Sequence, residues 1–495
     1  MRFLLSRRRL VLSGLASVAG LTSAALLAAC GGASGPTTSA SSAAATAAAT
    51  SASVAAPTTG SSAPTPATSA SSSATASASQ AATTSASASS QSAPTSTASA
   101  APAGKGVTIE LLYVSDPGEK VEHVTWMQRY HELHPDVTID GSLLPEDQAF
   151  YDKITAMAAG GTPPDLSYVH PAFLAGFAAK GLLVPIEPFV ARDTTANMAD
   201  FYQTTLEYYH YKGKYYGLPY YSGPSVTYFN KTLFQKLSLK TPDAYDQEGN
   251  WTWQTMLEVA QKLTQTSDPN AKTYGYGGTS SSLHWMNIAI WGNGGEVWDE
   301  PMSTMLLDHP EAADAVQFQA DLSAKYKVVG GDFVKGTQGI SYGIRGDVPA
   351  YKDVHFDLGL AGIPQGVKGR FCRNGPNAFP IYQASKHQEE SWGYANWITQ
   401  TEAQGIGFTL KRSVPSRQSI AQSGAFEQSL YPWESAAIYR DASDKVRGFP
   451  LPSTYGDINS AFGAAYKQAA AGTITALDAI KAAMPAMDAA LAKKA

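Results

Sequence analysis

From Val107 onward, apolar and polar positions alternate between strand-like and helix-like spacing. Val107-Thr108-Ile109-Glu110-Leu111-Leu112-Tyr113-Val114 is a mostly apolar run closed by the turn residues Ser115-Asp116-Pro117-Gly118, and it predicts a buried strand. Val121, Val124, Trp126, Met127, Tyr130 and Leu133 then recur with helical spacing. His134-Pro135 ends that helix, because the residue before a proline avoids the helical region. Val137-Thr138-Ile139 reads as the next strand and Phe150 to Ala159 as a second helix, stopped by Gly160-Gly161. Asp165-Leu166-Ser167-Tyr168-Val169 reads as a third strand. Strands and helices alternating across short links predict an α/β fold with a mainly parallel sheet. Ligands of such folds bind beyond the carboxyl ends of the strands, which puts Asp116, Glu146 and His170 beside a cleft.

No such pattern precedes Val107, and composition explains why. Residues 1–105 hold five basic side chains (Arg2, Arg7, Arg8, Arg9, Lys105), no Asp or Glu, and one aromatic, Phe3. The remaining residues hold 31 Lys and Arg against 41 Asp and Glu, a net charge of −10, and 50 of the 51 aromatic rings. Core-forming capacity is therefore confined to residues 106–495. Their acidic balance argues against nucleic-acid binding, which needs clustered cations. After the N-terminus no apolar run reaches the roughly 18 residues of a membrane span. The two cysteines, Cys30 and Cys372, exclude a disulfide framework.

Residues 1–9 form a basic head, and Leu10 to Ala29 are apolar or small and uncharged, which predicts a secretory signal over 1–29. Leu27-Ala28-Ala29-Cys30 resembles the lipobox of bacterial lipoproteins, which implies acylation of Cys30 and a membrane anchor. Ser6-Arg7-Arg8-Arg9-Leu10-Val11 resembles a twin-arginine export signal. Residues 30–105 are almost wholly Ser, Ala, Thr, Pro, Gly and Gln. Such a segment cannot bury enough apolar surface to offset ordering entropy, so a disordered tether is expected, with a reach on the order of 50 Å.

A series of motifs then carries a family resemblance. Gly160-Gly161-Thr162-Pro163-Pro164-Asp165, followed by Phe173 to Gly181-Leu182-Leu183-Val184-Pro185-Ile186, resembles the first lobe of extracellular solute-binding proteins, the sugar-binding family of ABC importers. Tyr216-Gly217-Leu218-Pro219-Tyr220 is similar to that family's crossover strand. Tyr228-Phe229-Asn230-Lys231-Thr232-Leu233-Phe234 is similar to the opening of its second lobe. Trp251-Thr252-Trp253-Gln254 to Lys262-Leu263-Thr264, Tyr274-Gly275-Tyr276, Gly294-Gly295, Ala384-Ser385-Lys386-His387 and Val414-Pro415-Ser416-Arg417 continue it in order. The resemblance implies a two-lobe, type II periplasmic-binding-protein-like fold with a hinge. One lobe would hold 106–218 and 372–412, the other 219–371 and 413–495. It also implies a monomer that captures a mono- or oligosaccharide, uses no cofactor or metal, and delivers its load to ABC permease subunits at the cell surface or in the periplasm.

Sugars need aromatic rings for their C–H faces and polar groups for their hydroxyls. Candidates in the first lobe are Asp116, Glu146, Tyr168 and His170, with Tyr220 and Tyr221 at the crossover. Beyond them stand His284, Trp285, Trp291, Arg345, Asp347, Asn374, Asn377, Arg417, Trp433, Tyr455 and Asp457. Several have structural alternatives. Asp116 and His170 suit helix caps, Tyr168 suits a core, and Glu146 suits a solvated loop. One of Tyr220 and Tyr221 should face the core, as should at least one of Trp285 and Trp291. Trp251 and Trp253 are assigned to structure. The acidic stretch 243–250 lacks the alternating ligands of a calcium loop.

The chain shows no Gly-x-Ser-x-Gly elbow, His-Glu-x-x-His, nucleotide-binding Gly-x-x-x-x-Gly-Lys-Ser/Thr loop or Cys-x-x-Cys. A binding protein is therefore expected rather than an enzyme. The alternatives are a glycosidase, which needs two opposed carboxylates, and a sugar sensor or adhesin on the same fold.

Overall fold

The computed structural model describes residues 106–493, apart from 115–116, 146–147, 279–280 and 301. The expected signal and tether, and the candidates Asp116 and Glu146, lie outside the described residues.

The first lobe is built on β1 (Val107–Val114), followed by α1 (Pro117–Leu133), β2 (Val137–Leu144), α2 (Gln148–Ala159), β3 (Leu166–Ser167) and α3 (Pro171–Ala179). Its sheet is parallel and ordered β2-β1-β3, with Val107 opposite Val137 and Leu111 opposite Leu166. The central strand is buried at Leu111–Val114, as its apolar run requires. β3 is shorter than the five-residue strand expected. The Tyr168 amide still donates to Leu112 O of β1 at 2.8 Å, and Val169 then bridges Ala378 in the antiparallel sense.

The second lobe contains β4 (Val226–Asn230), α4 (Trp253–Leu263), β5 (Tyr274–Tyr276), α5 (Leu283–Asn293), α6 (Pro310–Ala324), β6 (Gln338–Gly343) and β7 (Leu358–Ala361). Its sheet is ordered β5-β6-β4-β7, and β4 runs antiparallel to both β6 and β7. Here the mainly parallel sheet expected is corrected. The helical crossover that enforces parallel neighbours joins β5 to β6, whereas β4 enters directly from the other lobe. Thr252 caps α4 through its hydroxyl, 3.1 Å from the Thr255 amide. Met256, Val259, Ala260 and Leu263 of that helix pack with Phe229, Trp251, Tyr276 and Ile340 in a core of their own.

The chain then returns to the first lobe as α7 (Gln388–Trp397) and α8 (Thr401–Thr409). Trp126 of α1 donates its indole N–H to the Ala403 carbonyl at 2.8 Å, and Tyr130 meets Tyr394 edge-on at 5.1 Å. Finally α9 (Ala436–Asp444), α10 (Tyr455–Ala470) and α11 (Ala476–Ala492) complete the second lobe, with α10 and α11 packed on α6. Cys372 is buried and unpaired, and burial raises its thiol pKa to about 12. Among the described residues no helix is long and apolar enough to cross a membrane.

Candidate functional site

Three stretches of chain lie side by side where the lobes meet. Tyr220 N–H donates to Asn377 O at 3.0 Å, Ser222 N–H to Val414 O at 2.8 Å and Ser225 N–H to Arg373 O at 3.1 Å. The Asn374 side chain fastens this braid. Its Oδ1 accepts the Gly223 amide at 2.5 Å, and its Nδ2 donates to Thr205 Oγ1 at 2.7 Å. Asn374 is fully buried, so these bonds satisfy an amide that water cannot reach.

Around the braid, side chains from both lobes converge. His170 caps α3, its Nδ1 accepting the Ala172 amide at 3.2 Å. It faces His284 of α5 at a ring separation of 6.2 Å, and Tyr208 faces the same ring at 6.2 Å. His284 Nε2 lies 2.9 Å from the Asn374 carbonyl oxygen, and the Tyr455 hydroxyl accepts the His284 amide at 3.1 Å. Tyr221 Oη accepts from Asn377 Nδ2 at 2.6 Å. At the centre is Arg373, 9 % exposed, its guanidinium 3.9 Å over the ring of Trp285. Burial, and then the Arg373 charge, hold the His170 pKa down at about 4 and His284 well below its usual value. Burial raises Tyr208 and Tyr455 to about 12. Both histidines and these tyrosines are therefore neutral at pH 7.

Beside this cluster, within the second lobe, is a cavity of about 310 Å³. Trp285, Trp253, Tyr276 and Tyr342 supply its rings and Asp347 its carboxylate. Trp253 Nε1 and Tyr342 Oη are buried without a hydrogen-bond partner among the described residues. Asp347 Oδ2 accepts the Ile344 amide at 2.9 Å. Aromatic faces and a held carboxylate suit a ligand with flat apolar faces and a polar rim. A second hollow, of about 440 Å³, opens between the lobes from α3 and Tyr208 to Phe449–Ser453.

Comparison with known proteins places the chain. A model of the bacterial extracellular solute-binding protein family matches residues 124–405. The chain belongs to this family. A binding protein of Brucella abortus is 25 % identical over 325 residues, covering 61 % of this chain and 74 % of that one. A maltotriose-binding protein of Pyrococcus abyssi is 23 % identical over 316 residues, covering 60 % and 64 %. Among solved structures, an ABC substrate-binding protein of Listeria monocytogenes, in complex with cycloalternan, aligns with a TM-score of 0.70 at 18 % identity. That alignment covers 79 % of this chain and 100 % of that one, a likeness of fold.

In this solute-binding protein the braid and its surroundings gather His170, Tyr221, His284, Trp285, Asp347, Asn374, Asn377 and Tyr455. Other candidates are elsewhere. Tyr168 is buried in the first lobe near Phe150, and Tyr220 packs on Trp126 in the same core. Trp291 is buried beneath Arg447, whose guanidinium is 4.8 Å from the ring. Arg345 is buried in an ion pair with Glu434 at 2.9 Å. Arg417 is spent on main-chain oxygens, Thr399 O at 2.8 Å and Ala196 O at 3.0 Å. Trp433 stacks on Tyr431 and lines an outer groove of about 680 Å³ on the second lobe. Asp457 stands exposed in the first turn of α10. The stretch 243–250 is partly helical, and Asp246 pairs with Arg370.

Sequence reasoning passed over Arg373, Tyr208, Tyr276 and Tyr342, and it assigned Trp253 to structure alone. The available signal for Arg373 was its place in a short non-periodic stretch beside Asn374 and Asn377, both singled out. Trp253 and Tyr342 gave none, because aromatic residues near strands and helices are ordinarily core.

Proposed function

We propose that this protein captures a carbohydrate between its two lobes and delivers it to the permease of an ABC importer, acting as a monomer without enzymatic activity. The observation that carries the proposal is the cavity on the second-lobe side of the cluster where the lobes meet, walled by Trp285, Trp253, Tyr276 and Tyr342 with Asp347 among its lining residues. Those are the groups a pyranose or furanose ring engages, apolar on its faces and hydroxylated at its edge. Sugar- and polyol-binding names among the relatives, for maltotriose, mannitol and arabinooligosaccharide, support the same class. Ligand bridging the two lobes would favour the closed arrangement, since only that state is touched from both sides. The N-terminal motif supports an extracytoplasmic lipoprotein held by acylated Cys30.

A calorimetric screen of mono- and oligosaccharides tests the proposal, with small-angle scattering recorded on each ligand that binds. Saccharide binding with compaction is expected. Selective binding of amino acids or peptides would overturn the carbohydrate assignment. Cleavage of an oligosaccharide by the purified protein would overturn the non-enzymatic one. Retention of a Cys30→Ala variant in the membrane fraction would overturn the lipid anchor.

A further inference from the structure

We infer that the saccharide is an acidic one, a sugar carrying a carboxylate, and that Arg373 receives that group. This rests on the carbohydrate reading above and narrows it.

Among the described residues, Arg373 differs from the other buried or largely buried arginines. Arg345 has Glu434 at 2.9 Å, Arg412 has Glu119 at 3.8 Å and Arg417 has Asp200 at 3.9 Å. Arg373 is 9 % exposed and forms no ion pair among the described residues, and its Nε–H is sealed in without an acceptor. The groups around it compensate only in part. Tyr208, Tyr455, His170 and His284 carry no charge at neutral pH. Asp347 is the carboxylate whose charge reaches Arg373, but it forms no ion pair with it, and its Oδ2 accepts the Ile344 amide at 2.9 Å. Taking a guanidinium out of water without a directly paired counter-charge is unfavourable, so such a site is suited to receive an anion.

The geometry selects the kind of anion. Trp285 covers one face of the guanidinium at 3.9 Å, and the N–H donors that an acceptor must reach lie along its edge. A carboxylate meets that edge with two parallel N–H···O bonds, supplying both the acceptors and the missing charge; a hydroxyl supplies an acceptor without the charge. Gly375 clears the space beside the fork. A methyl group there would stand 3.1 Å from Nη1. Trp285 and Asp347 also wall the aromatic cavity, so an anion on Arg373 and a ring in that cavity can belong to one molecule.

The test is calorimetry at pH 7 with matched pairs: glucose against glucuronate, galactose against galacturonate, and their di- and trisaccharides. The acidic member of at least one pair is expected to bind at least about tenfold tighter. Arg373→Gln should erase that preference. Gly375→Ala, which crowds the guanidinium without removing it, should reduce the preference several-fold while melting like the parent protein. If Arg373→Gln does not fold, the wild-type pairs and Gly375→Ala decide. Neutral members binding as tightly as acidic ones would overturn the acidic-sugar inference and leave the carbohydrate reading intact. Binding of amino acids or peptides with no saccharide bound would overturn both.

Discussion

His284 Nε2 lies 2.9 Å from the carbonyl oxygen of Asn374, tying a helix of the second lobe to the segment by which the chain returns to the first. His170 caps a first-lobe helix on the other side of the same ring. Both histidines are held neutral, by burial first and by Arg373 second, His170 at about 4 against an ordinary 6.5. A histidine with a depressed folded value takes up its proton more readily once the structure is lost. Its contribution to stability is thus complete above about pH 6.5 and is lost as pH falls toward 4. At about 1.4 kcal/mol per pH unit, His170 accounts for at most about 3 kcal/mol. Melting curves between pH 7.5 and 4.5 should show His170→Asn, which keeps a capping side chain, losing stability more gradually than the parent. Identical slopes would exclude the histidine as a cause.

The Arg345–Glu434 pair is sealed, its side chains 1 % and 0 % exposed. Tyr439 Oη donates to the same carboxylate at 2.9 Å, and the Tyr431 amide donates at 2.8 Å. Glu434→Ala would strand the guanidinium in the interior, at a cost of about 3–5 kcal/mol. Denaturant unfolding checks this, and a loss under about 1 kcal/mol would show that water reaches the pair.

Trp285 and Trp291 sit on the same helix in opposite roles. Trp291 is buried, so Trp291→Ala should cost about 3–5 kcal/mol of stability. Trp285 is only partly buried, between Arg373 and the cavity. Trp285→Ala should cost less stability and lower saccharide affinity at least about tenfold. Affinity and melting temperature measured on both variants separate the roles; parallel losses in both quantities would contradict the assignment.

Gly275 in β5 lies against α4 with no room for a side chain, since an added Cβ would run into the backbone of Ala260. Neither the helix nor the strand can yield without disturbing the second core. Gly275→Ala should therefore destabilise by about 3 kcal/mol, at the upper end for overpacking, as read by urea unfolding. A neutral result would mean that α4 slides freely on the sheet.

Much of the first lobe was legible in the sequence because its elements are local. Val107–Val114 and the helix after it announce themselves through period and through Pro135, independently of what they pack against. The second sheet was less legible. β4 pairs with β6 and β7, more than a hundred residues away, and nothing within Val226–Asn230 encodes the antiparallel sense. At the site, residue type guided the choice of His284, Trp285 and Asp347 but could not tell a free polar group from a spent one. Arg345 and Arg417 have the chemistry of ligand donors, and only the fold shows them buried and bonded to main-chain oxygens inside the protein. Arg373 is the reverse case, an ordinary loop residue by pattern that only the fold shows to be buried with no ion pair among the described residues.

Cys372 has a practical consequence. It is the one sulfhydryl in residues 106–495, and burial keeps it protonated and shielded from alkylating reagents. The folded part can therefore accept a cysteine on the rim of each lobe and be labelled there with a donor and acceptor dye, without background from its own thiol. Ligand-driven movement of the lobes then becomes visible in single molecules by energy transfer.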